Sequence, residues 1–116
     1  MSRRAHIEID KVTVCDQDAQ PPDYLFQDPA YRRQDEARLN AWRNDEWHFV
    51  GIRARATIKI PHGSNPACWI TTELVSPGLW GIESDSGADY FEQVYQDERE
   101  ILLSMLASLK TCEISI

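Results

Sequence analysis

Hydrophobic and polar positions alternate most cleanly over residues 47–60. His48, Val50, Ile52, Ala54, Ala56, Ile58 and Ile60 fall on one side, and Trp47, Phe49, Gly51, Arg53, Arg55, Thr57 and Lys59 on the other. A period of two over so long a run predicts a strand with one buried face. Ala54 and Ala56 are small enough to let a helix approach that face closely. The alternation recurs over 68–76, where Ile70, Thr72 and Leu74 oppose Trp69, Thr71, Glu73 and Val75. Ser76-Pro77-Gly78-Leu79 predicts a tight type II turn, with proline fixing φ and glycine supplying a positive φ. A short strand over 79–83 would follow, making 47–83 an antiparallel meander. Residues 5–15 predict a further strand. There Ile7 and Ile9 share one side while Val12 and Val14 share the other, so a bulge near Asp10 and Lys11 is expected to re-phase it.

Towards the C-terminus the period lengthens to that of a helix. Tyr90, Phe91, Val94, Tyr95, Ile101, Leu102, Met105, Leu106 and Leu109 share one sector at helical spacing. The pattern predicts a helix over 86–110, opened by Ser86 and Asp89 as a capping pair. A shorter helix is expected over 28–44, where Asp28 is placed to cap and Pro29 to occupy the first helical position. Its stripe holds only Tyr31, Leu39 and Trp42, so shallow packing is expected. Residues 111–116 are expected to add a short final strand. The whole reads as one α+β domain over 1–116, in β-α-β-β-β-α order. An antiparallel sheet of about four strands should be covered on one face by the long C-terminal amphipathic helix. Ile52, Ala54, Ala56, Ile58, Ile70, Leu74, Val94, Ile101, Leu102 and Met105 are the expected core.

Glu98 is the exception in the helical stripe, because it falls inside the apolar sector. A carboxylate cannot be buried unpaired, so Glu98 should meet a basic group, reach the rim or stay protonated, and an arginine from 53, 55 or the 28–44 helix is the candidate partner.

Composition narrows the function classes. A chain of 116 residues can bury a core without metal or disulfide staples. Cys15, Cys68 and Cys112 are odd in number and lack metal-ligand spacing, which reads as reduced thiols. No run approaches the roughly 20 apolar residues of a membrane span, and no secretory leader is recognisable, so a cytoplasmic protein is expected. Residues 1–60 balance ten basic against ten acidic side chains, while 61–116 set Arg99 and Lys110 against nine acids, supplying the whole net charge of −7. Such a field repels phosphate, so direct nucleic-acid binding is not expected, and a basic partner is favoured.

The stretch Gly78 to Gly87 concentrates candidate chemistry, since glycines flank Trp80 and carboxylates alternate with serines. Glu83 and Asp85 could divide acid and base roles if their environments separate their pKa values, or hold a metal, with His48 or His62 nearby. That is the enzymatic or small-ligand alternative. The chain has no His-x-x-x-His or His-x-His pair and no phosphate loop, so no cofactor or metal is expected. Trp80, Glu83 and Asp85 at the junction, with Glu92, Asp97 and Glu100 on the polar helix face, are the candidate partner contacts. A third alternative is a structural accessory protein that self-associates through Trp69 and Val75.

The pairing of Trp47-x-x-x-Gly51-Ile52-x-Ala54-x-Ala56 with Gly78-Leu79-Trp80-Gly81-Ile82-Glu83-Ser84-Asp85-Ser86, then Tyr90 and a leucine-rich helix, resembles a family of small uncharacterised proteins. These belong to temperate bacteriophages and bacterial mobile elements. The resemblance covers roughly residues 45–110. It implies a bacterial cytoplasm and a mobile-element gene, a context in which small acidic proteins often inhibit or modulate host machinery, anti-CRISPR and other anti-defence proteins among them. With the C-terminal acid excess and the lack of a complete catalytic set, it leads to the expectation of a non-enzymatic protein that binds and modulates or inhibits a host protein. A host protein with a basic nucleic-acid-binding surface would suit the acid excess. The family supplies no reaction and no catalytic residues to carry over.

Overall fold

A computed structural model describes residues 4–21, 25–113 and 115. The elements are β1 (His6–Cys15), a 3₁₀ turn (Pro29–Tyr31) running into α1 (Arg32–Arg43), β2 (Phe49–Pro61), β3 (Trp69–Val75), β4 (Leu79–Glu83) and α2 (Ala88–Thr111). This is the expected α+β order. Asp28 caps as expected, its carboxylate accepting the Ala30 N–H at 2.9 Å with Pro29 next in the chain. No α1 residue is buried, which matches its thin stripe.

Strand β2 is the spine. β1 pairs antiparallel with it in unbroken register, from His6 opposite Lys59 to Cys15 opposite Val50. The bulge expected near Asp10 and Lys11 does not form. Val12 and Val14 instead lie on the face opposite Ile7 and Ile9, Val12 half-buried and Val14 exposed. The expected reversal at Ser76-Pro77-Gly78-Leu79 is also absent. β3 pairs with Arg55 to Pro61 and β4 with Phe49 to Ile52, both antiparallel to β2. Because β1 occupies the other edge, β3 and β4 run in one direction along a single edge as one interrupted strand.

Ser76 bridges the interruption. Its N–H donates to the Ala54 carbonyl at 2.9 Å, and its hydroxyl accepts the Ala54 N–H at 2.9 Å. The hydroxyl thus replaces a carbonyl in the ladder, which explains a wholly buried serine in an apolar layer.

Even-numbered residues of β2 face α2. Val50, Ile52 and Ile82 pack with Val94, while Ala54 and Ala56 receive Leu102. The two alanines do admit the helix. Ile70 and Ile101, expected in the core, are 46% and 41% exposed, Ile70 because it lies towards the far end of the sheet and Ile101 because its neighbour Leu102 takes the buried position. On the opposite face, Trp47 and Phe49 are buried edge-to-face at 5.0 Å. α2 begins two residues late. Gly87 is its N-cap without a side-chain bond, and the Ser86 hydroxyl donates instead to the Glu83 carbonyl at 2.6 Å. The final strand does not form over Thr111–Glu113, where Thr111 still belongs to α2, and Ile114 and Ile116 lie outside the described residues.

Candidate functional site

The junction is built around two backbone departures that its glycines permit. Val50 lies opposite Ile82 and Ile52 opposite Leu79, so Trp80 and Gly81 together face the single residue Gly51. This is a β-bulge, and Gly81 adopts the positive φ of 70° that suits glycine there. Its N–H is held by the Asp16 carboxylate at 2.9 Å. Gly78, at φ 90°, turns its N–H towards α2, where the Glu98 carboxylate accepts it at 2.6 Å.

The bulge sends Trp80 to the face opposite α2, flat over Gly51. Its indole N–H donates to the Pro77 carbonyl at 3.1 Å, and an Arg53 amino group donates to the same oxygen at 3.1 Å. The Arg53 guanidinium lies 5.2 Å from the Trp80 ring centre, within cation–π range.

Arg38 of α1, which the sequence placed only as a helical residue, organises the carboxylates. It grips Asp85 with two bonds of 2.6 and 2.7 Å and stands 3.4 Å from Glu83. Its guanidinium also stacks 3.8 Å above the Trp47 ring, whose N–H donates to the Arg38 carbonyl at 3.0 Å. Hydrogen bonding to Arg38 holds the Asp85 carboxyl below its ordinary range and raises the guanidinium in turn. A second ion pair, Asp10 with Arg55 at 2.7 Å across β1 and β2, lowers Asp10 in the same way. Arg55 is thus engaged on β1, and Arg53 on the Pro77 carbonyl. The arginine expected for Glu98 is replaced by a backbone N–H.

These lowered carboxyls fix a pH dependence. A carboxyl whose folded pKa is depressed adds stability above its unfolded value, near 3.9, and loses it as pH falls through the folded value. Melting temperature is therefore expected to fall below about pH 4, and to fall less steeply in Asp85→Asn and Asp10→Asn. Solvent exposure of Asp85 limits its share at neutral pH to under about 1 kcal/mol. Melts of the three proteins from acid to neutral pH measure it.

A shallow cleft of about 390 Å³ opens beside the junction, lined by Ala19, Gln20, Phe49, Gly81, Ile82, Glu83, Ser86 and Tyr90. Neither His48 nor His62 lines it, and Asp85 points to Arg38 instead. His48, expected on the apolar strand face, is exposed just before β2. Its backbone is clamped by Ser84, whose hydroxyl accepts the His48 N–H at 3.0 Å and whose N–H donates to the His48 carbonyl at 2.8 Å. His62 follows the far end of β2, a 13-residue strand and hence about 40 Å away. The convergence of Glu83, Asp85 and a histidine is not realised. Among the described residues no group of three or more His, Cys, Asp or Glu is placed to hold a metal, and no helix is long and apolar enough to cross a membrane.

The outer face of α2 is different. Asp89, Gln93 and Asp97 form one row at four-residue spacing, and Glu92, Gln96 and Glu100 a second. Gln93 donates to Asp97 at 3.0 Å and Gln96 to Glu92 at 2.8 Å, so one carboxylate in each row is braced by a neutral amide. All four carboxylate residues are exposed along about 16 Å of helix. Trp80 lies across the sheet from this face, so the six candidate contacts divide into a junction group tied into the fold and an acidic group facing solvent.

Comparison with family models, with curated proteins and with solved structures finds no match to this chain.

Proposed function

We propose that this chain is a non-enzymatic binding protein of phage or mobile-element origin that engages a basic surface of a host protein through the outer face of α2. The observation that carries the reading is the double row of exposed Asp89, Glu92, Asp97 and Glu100, of which Glu92 and Asp97 are each held by a glutamine. Carboxylates held at fixed spacing along a rigid helix meet a basic surface with little loss of side-chain freedom. A target that normally holds nucleic acid would present such a surface, and the acids would compete with phosphate there. Glu83 and Asp85 contribute differently, by fixing the start of α2 through Arg38.

The test uses the whole chain as bait in a host lysate, beside Asp97→Lys/Glu100→Lys. A partner retained by the native chain is expected to lose at least about tenfold in affinity on charge reversal, and to be released by added salt. A partner held equally by both proteins, or indifferent to salt, would overturn the reading.

A further inference from the structure

The far end of the sheet has the surface of a core without a cover. On the α2 side its strand positions are Ile7, Ile58, Ile60, Ile70, Thr72 and Leu74, with no charge among them. The opposite side of the same strands carries His6, Glu8, Lys59 and Glu73. One charged and one apolar face is the signature of a sheet with one side wet and the other packed. Yet Ile7, Ile60 and Ile70 are 45%, 41% and 46% exposed, and Leu109, near the end of α2, is 50% exposed. The helix end stands as a ridge between two apolar grooves. One, of about 450 Å³, is lined by Ile7, Ile58, Leu106 and Leu109; the other, of about 430 Å³, by Leu74, Ile101, Met105 and Leu109.

The chain as a whole is elongated. The radius of gyration is 20.4 Å and the extents are 69 × 29 × 27 Å, where a compact chain of this length has a radius near 13 Å. Its accessible surface is 8766 Å², against roughly 6,500 Å² for a compact monomer of this mass. The excess, roughly 2,300 Å² over the whole chain, is the surface of an elongated molecule that closes less of its core than a compact monomer does.

We infer that this face is a homodimer interface: a second copy of the chain covers it, each α2 end seated in a groove of its partner. A ridge flanked by grooves is self-complementary under a two-fold axis. Among the described residues, Lys110 at the edge of one groove is the single charge lining the two grooves, and apolar interfaces resembling a divided core are what lasting homodimers use. The inference is independent of the acidic-face proposal, since the outer side of α2 stays open in such a dimer. It also differs from association through Trp69 and Val75, which lie on the opposite side of the sheet.

Analytical ultracentrifugation of the whole chain decides it. The native protein is expected at twice its 13.4 kDa mass at about 10 µM. Ile60→Glu/Ile70→Glu alters residues that a monomer exposes to water, so helix and sheet signals in circular dichroism should persist. Each new carboxylate enters a two-fold interface twice, and the dissociation constant should rise at least about 100-fold. Leu109→Glu, on the helix, should weaken the dimer independently. A native chain that is monomeric at that concentration, its apolar end then left for a different protein, overturns the inference. So does a dimer that withstands both variants.

Discussion

Glu98→Leu and Glu98→Ala are both expected to destabilise the fold by about 2–3 kcal/mol, while Glu98→Gln stays within about 1 kcal/mol of the native protein. Glu98 is 6% exposed and its carboxylate receives the Gly78 N–H at 2.6 Å. That donor belongs to a backbone held between α2 on one side and the Trp80 ring on the other. An arginine deprived of its carboxylate can swing to water, and a leucine in place of the acid would then cost little. A backbone amide between two packed layers has no such freedom, so both apolar substitutions leave it unsatisfied. Glutamine preserves an acceptor oxygen at the same reach. Thermal or denaturant melts of the three variants measure the differences, and a leucine variant as stable as the native chain would refute the role given to this bond.

The same contact marks how far the sequence could be read. Periods of two and 3.6 place all four strands and both helices, because they follow from which side of each element is buried. They carry no information on which edge of β2 a strand takes. Ser76-Pro77-Gly78 has turn composition and a positive φ at Gly78, yet the chain continues in its original direction. Proline and glycine interrupt the ladder, while the Ser76 hydroxyl and Glu98 repair it with bonds from 22 and 20 residues away. Turn chemistry was legible, and the outcome was set by tertiary partners. Glu98 could be singled out as misplaced in an apolar stripe, but its partner could not, since any backbone N–H is invisible to a search for opposite charge. The same holds for the candidate site. Alternating carboxylates and serines read as available chemistry, whereas Arg38, 47 residues away, takes up Asp85. The acidic rows of α2 lie where helical spacing put them, because an outward face needs no partner to position it.

Gly51→Val is expected to cost about 3 kcal/mol in the native background, and less than about 1 kcal/mol when Trp80 is alanine. The backbone at Gly51 is not among those with positive φ, so a side chain there meets no conformational penalty, and valine is the better strand former. The obstacle is the indole. A Cβ on Gly51 would stand 2.2 Å from Cε3 and 2.5 Å from Cζ3 of Trp80, well inside van der Waals contact. Trp80 cannot tilt away freely, since its N–H is bonded to Pro77 and Arg53 flanks its ring. Displacing it breaks the Pro77 bond and uncovers β2 at the bulge. Removing the ring first deletes the clash, and the two substitutions should then show a coupling of at least about 2 kcal/mol. Denaturant unfolding of the native chain, both single variants and the double variant measures that coupling. Additive effects would mean that Trp80 does not rest on Gly51, and the tryptophan would be free to serve a partner instead of the fold.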